Sequence, residues 1–232
     1  MIQNAKQLAK TIDYTLLSAT ACASDIAKLC SEAKQWGFFA VCVHPRWVSY
    51  AVDQLGGSDV KVVSVAGFPF GTNMPKIKAA EAREVIFAGA DEVDIVADLA
   101  SVIGKDGGYL RNEFVDVLKV CKVMKPPVVL KVIIEAAALS PDQIQFVCEI
   151  ASDLGVDFVK TSTGFNSAGG ARVEDVKLMK QFAPRCKIKA AGGIKTAKQA
   201  LDMLDAGAER LGCSAAIGII EEFSAMLAGS TT

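Results

Sequence analysis

The chain has 232 residues, 51% of them hydrophobic, and 25 basic against 26 acidic side chains give a net charge of -1. That balance excludes a general nucleic-acid binder, which carries a basic excess or stripe. A single histidine, His44, and seven cysteines with no Cys-x-x-Cys pair leave no material for a His dyad, a zinc site or a disulfide framework, and read as a cytosolic protein with reduced thiols.

A mean hydropathy of +0.32 is high. Charged residues nevertheless break every apolar run well short of the ~18 residues of a membrane span, so the runs read as buried parallel strands. Residues 1–10 lack the apolar core of a signal peptide. No linker or low-complexity run divides the chain, and one domain over 1–232 is expected.

Residues 2–10 predict a short amphipathic helix anchored by Ile2 and Leu8. Residues 11–17 predict the first strand, with Asp13 inside it. An acid within a strand needs a partner, so Asp13 is either a structural hydrogen-bond acceptor or a site residue. From Ser24 the pattern turns helical, with Ile26, Leu29 and Cys30 on one face. That helix ends at Gly37, and a strand over 38–43 follows, stopped by His44-Pro45.

The same joint then recurs. Helical segments end in glycine and apolar strands begin at Gly37, Gly89, Gly155 and Gly207. Glycine suits the left-handed position just past a helix. Further strands are predicted over 61–66, 128–134 and 187–190. With the first, they make eight strands alternating with helices, which implies βα units and a parallel sheet. Eight units in this length fit an α/β fold of the closed (β/α)8 TIM barrel type, preceded by the short N-terminal helix.

The repeat also gives register. Five residues after each joint glycine stand Cys42, Asp94, Lys160 and Gly212. Equivalent joints put these four at one level of the even strands, and Asp94 and Lys160 in one layer near the C-terminal mouth, where barrel active sites lie. Lys160 ends the short strand Phe158-Val159 and precedes a Thr-Ser-Thr-Gly turn. A lysine held in a half-dry pocket loses its proton more easily, and its neutral amine attacks carbonyls to form a Schiff base. The alternative is a strand-end lysine reaching solvent. Lys131 and Lys189 interrupt odd strands. Several lysines in one barrel repel one another, the most buried losing its proton first, while Asp94 or Asp13 keeps the remainder charged; spacing does not say which is which.

The loops after the strands are glycine-rich or capped. Thr163-Gly164 follows the sixth strand, Gly192-Gly193 the seventh, and Gly212-Cys213-Ser214-Ala215 the eighth. Loops after strands seven and eight often hold a phosphate on backbone N–H groups. Gly-Gly permits close approach and Ser214 adds a hydroxyl, so a phosphorylated substrate is expected. Cys42 reads as a small buried filler that could touch substrate at the pocket edge.

Together, Phe158-Val159-Lys160-Thr161-Ser162-Thr163-Gly164, Lys189-Ala190-Ala191-Gly192-Gly193, Ala90-Asp91-Glu92-Val93-Asp94 and Lys131-Val132-Ile133-Ile134-Glu135 resemble the deoxyribose-phosphate aldolase family. The motifs appear in order from about 12 to about 220. The resemblance implies a class I aldolase without metal or other cofactor. It would cleave 2-deoxy-D-ribose 5-phosphate reversibly to D-glyceraldehyde 3-phosphate and acetaldehyde, in deoxyribose phosphate catabolism. It assigns Lys160 as the Schiff-base lysine, Lys189 as the second lysine that depresses it and moves protons, and Asp94 as proton donor and acceptor. Asp13, Cys42 and Lys131 match further pocket positions. Substrate contacts are also expected at Thr163, Gly164, Gly192, Gly193, Gly212 and Ser214. A homodimer is the family's suggestion; no membrane or nucleic-acid partner is expected.

Three departures stand out. Asp98 adds a charge expected near the mouth, the loop 165–172 is one residue longer than the common form, and Ala215 replaces a second serine. Two other readings stay open: a Schiff-base lyase for a different phosphorylated sugar, and a sugar-phosphate binder without turnover.

Overall fold

All four joint glycines adopt positive φ, at 67°, 103°, 74° and 112° for Gly37, Gly89, Gly155 and Gly207. The repeat read from the sequence is therefore a repeat of backbone conformation, and each joint feeds a strand. The computed structural model describes residues 2–229; of the span expected to form one domain, positions 1 and 230–232 lie outside the described residues.

The elements run α1 (Ala5–Ala9), β1 (Ile12–Leu16), α2 (Ala23–Trp36), β2 (Ala40–Val43), α3 (Val48–Leu55), β3 (Lys61–Ala66), α4 (Pro75–Phe87), β4 (Glu92–Val96), α5 (Leu99–Ile103) and α6 (Gly107–Lys122). They continue with β5 (Val129–Ile133), α7 (Pro141–Leu154), β6 (Phe158–Lys160), α8 (Val173–Phe182), β7 (Lys187–Ala191), α9 (Ala197–Asp205), β8 (Arg210–Cys213) and α10 (Ala216–Gly229). The eight strands are all parallel and close on themselves, with Asp13 of β1 opposite Gly212 of β8. The (β/α)8 barrel with its short leading helix is thus observed. Ser140 and Thr196 cap α7 and α9 in reciprocal boxes with Gln143 and Gln199, as their spacing predicts.

Strand ends differ from the expectation by a residue or two. The largest trim is at β2, expected from 38. There the Phe38 N–H completes the Gly37 turn on the Ala33 carbonyl, and the Phe39 N–H bonds the Ile12 carbonyl, so ladder pairing with β3 starts at Ala40.

Two cores result from the alternation of strand residues. Outward-facing Val41, Val93, Ile95, Val132, Val159, Ile188 and Leu211 pack with the helices in one large apolar shell. Inside the barrel the apolar cluster is small: Leu17, Ala40, Cys42, Val63 and Val65, against Phe39 and Phe68. It occupies the side of β2 and β3. The other side of the interior is filled by charge.

A further charged pair lies outside the barrel, between α4 and α6. Lys78 and Glu113 are both fully buried and paired to each other. Lys78 Nζ also donates to the Val96 carbonyl at 2.7 Å, and Glu113 accepts the Asp98 N–H at 3.2 Å. The pair therefore pins the upper end of β4, two residues beyond Asp94. Removing one partner leaves a buried charge alone. K78M is expected to lower unfolding free energy by about 3–5 kcal/mol in urea titrations, and K78M/E113L to recover most of that loss.

Candidate active site

Period-2 alternation points Asp13, Glu92, Asp94, Lys131, Lys160, Lys189 and Arg210 into the barrel, and all are buried. Six of them form a closed ring of alternating charge. Asp13 accepts from Lys189 Nζ at 2.5 Å, and Lys189 also reaches Asp94 at 2.9 Å. Asp94 accepts from Lys131 at 2.7 Å, and Lys131 reaches Glu92 at 2.6 Å. Glu92 accepts from Arg210 at 3.0 Å, and Arg210 returns to Asp13 at 2.8 Å. The Arg210 guanidinium lies 3.5 Å from the centre of the Phe39 ring, with Phe158 at 5.4 Å. Lys160 stands outside this ring, joined to it only through Asp94 Oδ2 at 2.8 Å.

The ring sorts the lysines. Burial drives the Lys160 amine below its ordinary range; Asp94 opposes that shift and the ammonium of Lys189 adds to it. For Lys189, burial acts the same way but is outweighed by Asp13 and Asp94, which raise it. Lys131 is likewise raised, by Asp94 and Glu92 against burial. Burial works to raise the Asp94 carboxyl, yet Lys131, Lys160 and Lys189 together hold it well below the usual carboxylate range. Burial also works to raise Asp13, and Lys189, Arg210 and Lys131 overcome it. The question that spacing left open is answered by geometry: Lys160 has one carboxylate neighbour, while Lys131 and Lys189 have two each.

Above Lys160 a cavity of about 460 Å³ opens at the C-terminal mouth. Lys160, Thr163, Gly164, Gly192, Gly193, Gly212 and Ser214 all line it. Asp13, Cys42, Asp94, Lys131 and Lys189 do not; they are fully buried beneath. Of the residues expected to contact substrate, Asp13 and Lys131 thus belong to the ring, and Cys42 to the inner apolar cluster. Burial pushes the Cys42 thiol up to about 11, so it stays a thiol at neutral pH.

Glycine is required at two of these positions. A Cβ at Gly212 would stand 2.9 Å from Ala191 Cβ and 3.3 Å from Lys189 Cε, so its absence makes room for the Lys189 stem. Gly192 has φ +89°, and its carbonyl would lie 2.1 Å from any Cβ at Gly170, which packs the loop after β6 on the loop after β7. Glu135, just past β5, fixes the same wall: it accepts the Thr163 N–H at 2.7 Å, and Thr163 Oγ1 accepts the Phe165 N–H at 3.0 Å.

Several site residues escaped the sequence reading. Glu92 and Arg210 stand two residues before Asp94 and Gly212, so the register that found one layer also marks the layer beneath it. Lys195, after the Gly-Gly pair, lines the cavity, as do Thr15 of β1 and Ser18 from the loop after it. Asp98, expected as an extra charge near the mouth, follows the C-terminal end of β4 and caps α5 by accepting the Ser101 N–H at 2.8 Å. Among the described residues, no group of three or more His, Cys, Asp or Glu side chains is placed to hold a metal ion.

Chemically, the site presents a buried amine of depressed basicity at the floor of a cavity, with a charged lysine-carboxylate network behind it. The chain is 45% identical to the deoxyribose-phosphate aldolase of Thermococcus kodakarensis, covering 94% of this chain and 97% of that one. It is also 45% identical to the deoxyribose-phosphate aldolase of Lactococcus lactis subsp. cremoris, covering 93% and 96%. The solved structure of the tetrameric deoxyribose phosphate aldolase from Aeropyrum pernix superposes with a TM-score of 0.87 at 32% identity, covering 96% of this chain and 93% of that one. Residues 7–221 match the model of the DeoC/LacD family aldolases, and the chain belongs to that family.

Proposed function

We propose that this aldolase cleaves 2-deoxy-D-ribose 5-phosphate reversibly to D-glyceraldehyde 3-phosphate and acetaldehyde through an imine on Lys160. One observation carries the reading: Lys160 is the single interior lysine that both lines the cavity and is driven toward the neutral amine. A neutral amine adds to the C1 aldehyde of the open-chain sugar and expels water, leaving a protonated imine. That imine is the electron sink. Loss of the C3 hydroxyl proton breaks the C2–C3 bond, its electrons flow to nitrogen, and glyceraldehyde 3-phosphate leaves. The resulting enamine takes a proton at C2, and water releases acetaldehyde.

Lys189 and Asp94 serve this sequence as a proton relay. Lys189 is held charged, so it supplies the proton for dehydration of the first adduct. Asp94, bonded to both lysines, accepts and returns protons, directly or through a water. At the other end of the cavity Gly192, Gly193, Gly164 and Ser214 suit a phosphate, and Lys195 adds a cation. The family resemblance supports a homodimer, the seven free cysteines support the cytoplasm, and the Aeropyrum pernix relative is a tetramer. No helix among the described residues is long and apolar enough to cross a membrane.

Acetaldehyde followed by borohydride is expected to leave an ethyl group on Lys160, located by peptide mass spectrometry, and none in K160M. Label on Lys131 or Lys189 would reassign the nucleophile. A folded protein with no label would favour a sugar-phosphate binder. The pH dependence has a defined sign. Trapping should rise with pH through the depressed Lys160 titration, which lies below the ~10.4 of a free lysine. K189M removes a neighbouring ammonium, so its rising limb should move to higher pH.

A further inference from the structure

Glu92 and Arg210 are the first residues of β4 and β8, at the end of the barrel opposite the mouth. They do not line the cavity. Residues at that end usually serve stability alone. Here they close the ring, and the ring then has a definite charge: three carboxylates (Asp13, Glu92, Asp94) against three cations (Lys131, Lys189, Arg210). Every carboxylate touches at least two cations and every cation touches two carboxylates. A fourth ammonium, on Lys160, is the one without a counter-charge of its own.

We infer that Glu92 and Arg210 are positioning residues for the Lys160 amine: by completing the ring they fix its charge at zero, so that Lys160 is the group that gives up its proton. This rests on the reading of Lys160 as the imine-forming lysine. Two charges lie outside the ring at the mouth: Lys195 lines the cavity, and the buried Glu135 just past β5 accepts the Thr163 N–H; neither is altered in the variants below. From β2 the facing group is the Cys42 thiol, neutral at physiological pH. From β3 it is Val63 and Val65. From β6 it is Phe158, which meets Arg210 and Lys131 with its ring and Lys187 from below. The remaining interior charges, on β1, β4, β5, β7 and β8, are the ring itself.

The inference predicts shifts of opposite sign from two residues that never meet substrate. E92Q leaves three cations against two carboxylates, a surplus of positive charge that makes a proton on Lys160 harder to hold. Its trapping limb should move to lower pH. R210M leaves three carboxylates against two cations, so Lys160 keeps its proton longer and the limb moves to higher pH. Each displacement should be on the order of one pH unit. E92Q/R210M is balanced again and should return toward the parent profile. A purely structural role would lower yield or melting temperature in both singles without separating their limbs.

The experiment follows the pH dependence of ethyl incorporation at Lys160 from acetaldehyde and cyanoborohydride, read by mass spectrometry, in the parent and three variants. Opposed shifts with return in the double variant bear the inference out. Limbs that coincide with the parent's, with Lys160 still labelled, overturn it and leave the aldolase reading intact. No label on Lys160 in the parent overturns the reading itself. Where a single variant does not fold, lysine side-chain NMR of the intact protein decides. Lys131 and Lys189 must stay charged through the range in which Lys160 deprotonates; earlier loss from either overturns the inference.

Discussion

The Asp94 carboxylate, sharing its two oxygens among three ammonium groups, is the interaction on which the interior depends. Lys131 takes Oδ1; Lys160 and Lys189 both take Oδ2. One carboxylate cannot neutralise three lysines, so two of them need a second partner. Lys131 finds Glu92 and Lys189 finds Asp13, and both of those acids then share Arg210. Lys160 finds none, and burial does the rest. The ordering of the three lysines thus follows from how many carboxylates each can reach.

Such a ring is a poor way to build stability. Desolvating buried ion pairs costs several kcal/mol per ion, and well-packed hydrocarbon in their place is often neutral or better by about 1–4 kcal/mol. The barrel accordingly does its packing elsewhere. Its apolar shell between strands and helices is continuous around the fold, whereas the inner apolar cluster covers only the side of β2 and β3. Half of the interior is given to polar groups that a purely structural barrel would fill with branched aliphatics. The loops follow the same division. Gly192 and Gly170 hold the mouth by backbone contact and Glu135 by its carboxylate on the Thr163 N–H, while Thr15, Ser18, Lys195 and Ser214 line the cavity beside the glycines.

Much of this was legible in the chain because two periodicities coincide. The four joint glycines count residues from helix end to strand, and strand alternation then assigns each residue a face. Asp94 and Lys160 fell into one layer by that count, and they are 2.8 Å apart. The same count moved back by two from Asp94 and Gly212 reaches Glu92 and Arg210, the ring's lower members. They went unread because a charge at a strand's first residue looks like an exposed end. Lys131 and Lys189 were visible as interruptions of apolar runs, but their protonation depends on partners that no local pattern names. Lys78 and Glu113 lay on helices that also carry many solvent-facing charges, so nothing local separated this buried pair from an exposed one. Asp98 shows the converse: a charge beside a site motif that proves to be a helix cap.

The ring also joins the ends of the chain. Asp13 lies near the start, and its partners Lys189 and Arg210 follow 176 and 197 residues later. Contacts of such separation form only after the intervening chain is in place. Until β8 docks beside β1, Asp13 has neither cation and Glu92 lacks its arginine. A nascent or partly unfolded chain therefore contains Lys160 but not the environment that makes it reactive. Aldehydes meeting an unfinished molecule find an ordinary protonated lysine. With Lys160 as the proposed imine-forming lysine, closure of the barrel and activation of its amine would be one event, confining imine chemistry to molecules that have completed folding.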